Sequence, residues 1–128
     1  MKLLLVDDDQ GLAFLLKMEL EDQGNYVDTA SNGWDASRLG LRNHYDVIIL
    51  DLMIPGMNGR QVCRELKKHR IGTPVLIMSA LDSQDEIDAC MSAGARDFMQ
   101  KPFLFDDLYH RILQIYKGRK IPGINESE

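Results

Sequence analysis

A chain of 128 residues has room for one domain of ordinary size, with a core that needs neither disulfides nor a structural metal. Its 45% hydrophobic and 27% charged residues exclude a disordered or fibrous chain, and its formal charge of −5 argues against a nucleic-acid-binding domain, which needs clustered Lys and Arg. Cys63 and Cys90 are too few for a disulfide framework and too far apart for a CxxC motif, and no stretch approaches the roughly 20 apolar residues of a membrane span. The expected setting is the reducing cytoplasm, with no membrane contact.

Residues 3–6 (Leu-Leu-Leu-Val) are stopped by Asp7, Asp8 and Asp9 before they can serve as a signal-peptide core. Lacking polar alternation, they read as a strand covered on both faces. Leu12, Leu15, Leu16, Met18 and Leu20 then recur at near-helical spacing, with Gly24 as the helix end. A second strand is expected over 26–30, followed by the turn Ser31-Asn32-Gly33. A helix over 34–42 turns Ala36, Leu39 and Gly40 to the sheet, and Trp34 is read as simple packing. Residues 47–50 form the clearest central strand, which ends on Asp51. A loop through Pro55, Gly56 and Gly59 leads into a third helix bearing Val62, Leu66 and the basic run 67–70. Residues 74–78 are the fourth strand. A fourth helix over 83–93 has Ser83 as its N-cap, Glu86 completing a capping box, and Gly94 beyond its end. A short strand over 97–100 and a closing helix over 104–116 follow, the latter burying Leu108, Ile112, Ile115 and Tyr116. One domain over 1–117 and a polar tether over 118–128 are expected.

Five successive βα units predict an α/β domain, a doubly wound, flavodoxin-like parallel sheet of five strands in the order 2-1-3-4-5, flanked by five helices. Such sheets bind ligands beyond the carboxyl ends of their strands where the strand order reverses, here between strands one and three. Asp7, Asp8 and Asp9 follow strand one and Asp51 ends strand three. Acidic groups at the ends of adjacent strands repel and lose hydration unless a cation lies between them, and Mg2+ suits an all-oxygen site that keeps several waters. Aspartates at that place also cap helices, a role expected of Asp9. Ser79 and Lys101 stand past strands four and five. A Ser after a strand is usually a helix cap and a Lys is usually solvated, but a hydroxyl and an ammonium are also what the charged oxygens of a transferring phosphoryl group need. Their coincidence with the aspartates, each after a different strand at one end of one sheet, favours a phosphoryl site. A cis Lys101-Pro102 bond would turn the lysine inward.

Together, Leu4-Leu5-Val6-Asp7-Asp8-Asp9, the run from Asp51 to Gly59 (Asp-Leu-Met-Ile-Pro-Gly-Met-Asn-Gly), Gly94-Ala95 before Asp97-Phe98, and Lys101-Pro102-Phe103 resemble the receiver domains of bacterial two-component response regulators, over about residues 2–117. The resemblance implies that Asp51 is phosphorylated by a sensor histidine kinase or phosphotransfer protein. It implies Mg2+ held by Asp8, Asp51 and the Met53 main-chain carbonyl, with Asp7 acting through water. It also makes Ser79 the switch hydroxyl, Lys101 a phosphoryl ligand and Phe98 the aromatic that follows Ser79, with Pro55, Gly59 and Pro102 shaping the loops. Many family members have Thr and Tyr at the two switch positions, and Phe98 lacks the hydroxyl. A haloacid-dehalogenase-type phosphotransferase would want a second Asp where Met53 stands, and a flavodoxin-like electron carrier would want a hydroxyl- and Gly-rich loop in place of the three aspartates. A degenerate receiver would lack a pocket residue, and none is missing. Asp97 and Arg111 fall near a salt bridge of receivers joined to winged-helix domains, whereas Ile87 and Gly118 stand where those have basic residues. The output stays open between a free-standing regulator and the receiver of a longer protein with an output domain after residue 118, with a homodimer through helices four and five as a further option.

Overall fold

The computed structural model describes residues 1–81 and 83–120. Its elements alternate as β1 (Lys2–Val6), α1 (Gln10–Asp22), β2 (Tyr26–Ala30), α2 (Gly33–Arg42), β3 (Val47–Asp51), α3 (Gly59–Lys68), β4 (Val75–Ser79), α4 (Gln84–Ser92), β5 (Asp97–Gln100) and α5 (Phe105–Lys120). The strands form one sheet in the order β2-β1-β3-β4-β5, and every pairing is parallel.

Successive side chains of a strand point to opposite faces, so each strand feeds two cores. Leu3, Leu5, Val47, Ile49, Leu76 and Met78 meet Leu16 and Leu20 of α1 and Leu108, Ile112 and Ile115 of α5. Leu4, Val6, Ile48, Leu50, Val75 and Ile77 meet Ala36, Val62, Cys63, Leu66 and Cys90 of α2, α3 and α4. Apolar runs without alternation are what a sheet covered on both sides requires. Both cysteines are free and buried, and burial, with a smaller contribution from Cys90, pushes the Cys63 thiol up to about 12.

Several local expectations are corrected. On α1 the buried residues are Ala13, Leu16 and Leu20, while Leu15 and Met18 are exposed along with Phe14, because helical spacing alone does not say which stripe meets the sheet. Helix α5 runs to Lys120, four residues past the expected Tyr116, with Ile115 buried and Tyr116 packed against the same core. The expected tether over 118–128 falls partly on this helix, and 121–128 lie outside the described residues. Ser83 does accept from the Glu86 amide, at 3.5 Å, but the Glu86 carboxylate reaches Arg60 of α3 at 3.2 Å. The reciprocal capping box sits instead at α3, where the Asn58 side chain takes the Gln61 amide at 3.0 Å and the Gln61 side chain takes the Asn58 amide at 2.9 Å.

That box fixes where the loop after Asp51 becomes helix. Replacing Asn58 with Ala should therefore lower the urea unfolding midpoint at unchanged slope, corresponding to about 1 kcal/mol. An unshifted midpoint would mean that water serves this helix end as well as the box does.

Candidate functional site

Because β1 and β3 are neighbours in register, with Val6 opposite Leu50, the chain delivers Asp7 and Asp51 side by side at the carboxyl end of the sheet. Asp7 is 1% and Asp51 6% exposed, whereas Asp8 is open to solvent. Carboxylate oxygens of these three residues all lie within 4.8 Å of one another. Asp9 caps α1, accepting from the Leu12 amide at 3.1 Å, and takes no part in the cluster.

The two buried carboxylates are held alike. Asp7 Oδ1 accepts from the amide of Asp9 at 2.9 Å, and Asp51 Oδ1 from that of Met53 at 3.1 Å. Their other oxygens share one cation, the Lys101 Nζ lying 2.8 Å from Asp7 Oδ2 and 3.0 Å from Asp51 Oδ2. Beyond the phosphoryl contact that the resemblance implies, Lys101 pairs with both aspartates, an arrangement that requires β5 to lie beside β4. The Lys101–Pro102 peptide is cis.

Burial pushes the Asp51 pKa up; the Lys101 hydrogen bond, the Met53 amide and the Lys101 charge pull it back, Asp7 adds to the rise, and the net shift is upward. For Lys101 burial disfavours the ammonium, but its hydrogen bonds to Asp7 and Asp51 and their charges outweigh that and raise its pKa. Three carboxylates thus face a single ammonium. Hard, anionic oxygens without a His or Cys among them fit Mg2+ rather than a softer metal. The Met53 carbonyl, which takes no hydrogen bond among the described residues, adds a neutral donor beside them.

Ser79 ends β4, is fully buried, and its Oγ accepts from the Leu81 amide at 3.1 Å, which leaves its own proton to give. The Lys101 amide donates to the Ser79 carbonyl at 2.8 Å, tying the two strand ends together. Phe98 is half-buried against the α2–α3–α4 core. Its carbonyl accepts from Arg111 Nη1 at 3.2 Å, and the same guanidinium reaches Asp97 Oδ2 at 3.1 Å, so the Asp97–Arg111 pair closes within one chain. Gly59 passes so close to the loop that a Cβ would stand 2.9 Å from the Leu52 Cα and 3.1 Å from the Asp51 carbonyl oxygen.

The model of the response regulator receiver domain family matches residues 3–113. The chain belongs to this family. It is 38% identical over 117 residues to the response regulator ArlR of Staphylococcus aureus, covering 91% of this chain and 52% of that one. It is 34% identical over 121 residues to the transcriptional regulatory protein TcrA of Mycobacterium tuberculosis, covering 94% and 48%. The chain therefore spans about half the length of these relatives. Among solved structures, the receiver domain of the Francisella response regulator 1452 superimposes with a TM-score of 0.87 at 37% identity, over 92% of this chain and 98% of that one. The receiver domain of the sensor histidine kinase PA1611 from Pseudomonas aeruginosa, solved with a magnesium ion coordinated in its active-site cleft, gives 0.83 at 26%, over 91% and 97%.

A carboxylate whose pKa is higher folded than unfolded, as burial makes that of Asp51, withdraws stability as pH rises through the window between the two values. In chelator at a pH above that window, Asp51→Asn should therefore melt a few degrees above the wild type. An equal or lower midpoint would show that Lys101 fully compensates the buried charge.

Proposed function

We propose that this chain is the phosphoacceptor of a two-component response regulator, taking a phosphoryl group onto Asp51 from the phosphohistidine of a sensor histidine kinase or phosphotransfer protein in a Mg2+-dependent reaction. The observation that carries this reading is the Asp7–Asp8–Asp51 cluster with Lys101 bridging its two buried members. Asp8, Asp51 and the Met53 carbonyl would hold Mg2+, with Asp7 acting through water. When bound, the ion neutralises phosphoryl charge and helps align the donor.

In the transfer an Asp51 carboxylate oxygen attacks phosphorus, the new O–P bond forms as the P–N bond to the donor imidazole breaks, and the electron pair stays on that nitrogen. Lys101 then exchanges its contact with Asp51 for a phosphoryl oxygen. The Ser79 hydroxyl donates to another, and its displacement lets Phe98 turn further into the core beside it. The result is a shift in a two-state equilibrium at the surface made by α4, β5 and α5. The domain is a signalling element whose only catalysis is its own phosphorylation and the slow hydrolysis that reverses it. The exposed Phe14, Leu15 and Met18 of α1, with a groove of about 420 Å³ running from Phe14 to Asp7, support docking of the phosphoryl donor on this side. A cytoplasmic location accords with two free thiols. An output domain following residue 118, or a homodimer through α4 and α5, would carry the signal onward, and direct nucleic-acid contact by this domain is not part of the reading.

Incubation with acetyl phosphate and Mg2+ should label Asp51 alone on mass-spectrometric mapping, and Asp51→Asn should stay unlabelled; wild-type labelling of that variant would remove Asp51 from the role. Ser79→Ala should still accept the phosphoryl group but lose most of the beryllofluoride-induced NMR shift changes in α4 and α5, since a ligand moves an equilibrium only through differential contacts. Full-sized changes in that variant would take the serine out of the switch.

A further inference from the structure

The loop that carries the Met53 carbonyl is anchored at both ends. Leu52 donates to the Met78 carbonyl at 3.1 Å, and Gly59 to that of Leu52 at 3.0 Å. Over its middle, residues 54–57, one main-chain hydrogen bond is present among the described residues, from Gly33 to the Pro55 carbonyl at 3.0 Å. Gly33 opens α2, an element that contributes no carboxylate to the acidic cluster. Its fit against the loop is so close that a Cβ would stand 1.5 Å from the Met57 carbonyl oxygen, with backbone on both sides of the contact.

Trp34 follows. It was read as packing, yet it is 64% exposed and absent from both cores. Its indole lies over Gly56, where a Cβ would meet the ring at 2.5 Å from Cδ1 and 2.7 Å from Nε1. Gly56 has φ +78, a conformation that favours glycine, so the loop is shaped both to turn there and to accept a flat ring. The turn bearing Gly33 and Trp34 is itself held, with Asn32 accepting from the Asp35 amide at 2.9 Å and donating to Asp35 Oδ2 at 3.0 Å. Below, the buried Ile54 side chain pins the loop into the core. A loop gripped from above and below cannot drift, and a metal ligand on a fixed loop binds without the loss of freedom that ordering a mobile one would entail.

We propose that Gly33 and Trp34 are positioning residues, the first turn of α2 clamping the Asp51–Gly59 loop so that the Met53 carbonyl is presented to Mg2+. The role rests on the reading of the Asp51 site as Mg2+-dependent, and it acts through the loop rather than by contact with the ion. It also gives the exposed indole a reason to stay on the surface, since its ring faces the loop and not the sheet.

The test is Mg2+ titration of the whole chain, followed by amide NMR shifts, for wild type, Trp34→Ala, Trp34→Phe and Gly33→Ala, with melting midpoints taken in chelator. Trp34→Ala should bind Mg2+ about tenfold more weakly while folded, and Trp34→Phe, which keeps a flat ring over Gly56, should recover most of the affinity. Gly33→Ala should bind at least as weakly as Trp34→Ala, and the tryptophan pair decides the matter should that variant not fold. A lowered melting midpoint with wild-type Mg2+ affinity in Trp34→Ala would overturn the proposal, leaving the indole a purely structural cover. Absence of Mg2+-dependent shifts in the wild type would overturn the functional reading itself, and this role with it.

Discussion

Two carboxylates buried at the ends of neighbouring parallel strands would drive each other toward water if the Lys101 ammonium did not stand between them. Its contacts of 2.8 and 3.0 Å tie together the ends of β1, β3 and β5, with β4 lying between the last two. The same residue fixes the strand ends to one another, because its amide holds the Ser79 carbonyl while its side chain reaches past β4 to the acidic pair. One lysine is nonetheless too little charge for Asp7, Asp8 and Asp51 together. That shortfall suits the end of the sheet to a divalent cation.

Everything beneath that end is arranged to keep it in place. The central strands β1, β3 and β4 are buried on both faces, and each helix returns the chain to start the next strand in register. Where loops must approach closely, glycine supplies the room: Gly59 lies against Leu52 and Asp51, Gly33 against Met57, and Gly56 under Trp34. The loop is thus packed closely on the side of β3 and α2. On the far side α4 has one fully buried side chain, Cys90, and is tied to α3 through the Arg60–Glu86 ion pair.

At the opposite edge, Arg111 of α5 holds the Phe98 carbonyl and the Asp97 carboxylate of β5. The chain spans about half the length of ArlR and of TcrA.

The five βα units, the buried strands and the acidic, hydroxyl and lysine positions at the strand ends were all legible in the amino-acid sequence, because the run lengths of apolar residues and the Gly and Pro between them are local signals. Asp7, Asp51, Ser79 and Lys101 each stand at or just past a strand end, so the order 2-1-3-4-5 places them together at the carboxyl end of the sheet. Which stripe of α1 is buried was not legible, since Phe14, Leu15 and Met18 are as apolar as Ala13, Leu16 and Leu20, and only the position of the sheet separates them. Nor could the sequence say that Lys101 pairs with both aspartates, that Glu86 abandons its own cap for Arg60, or that Trp34 lies over Gly56. Each of these joins residues far apart in the chain through side chains whose direction is set by packing, and direction is what the tertiary structure alone decides.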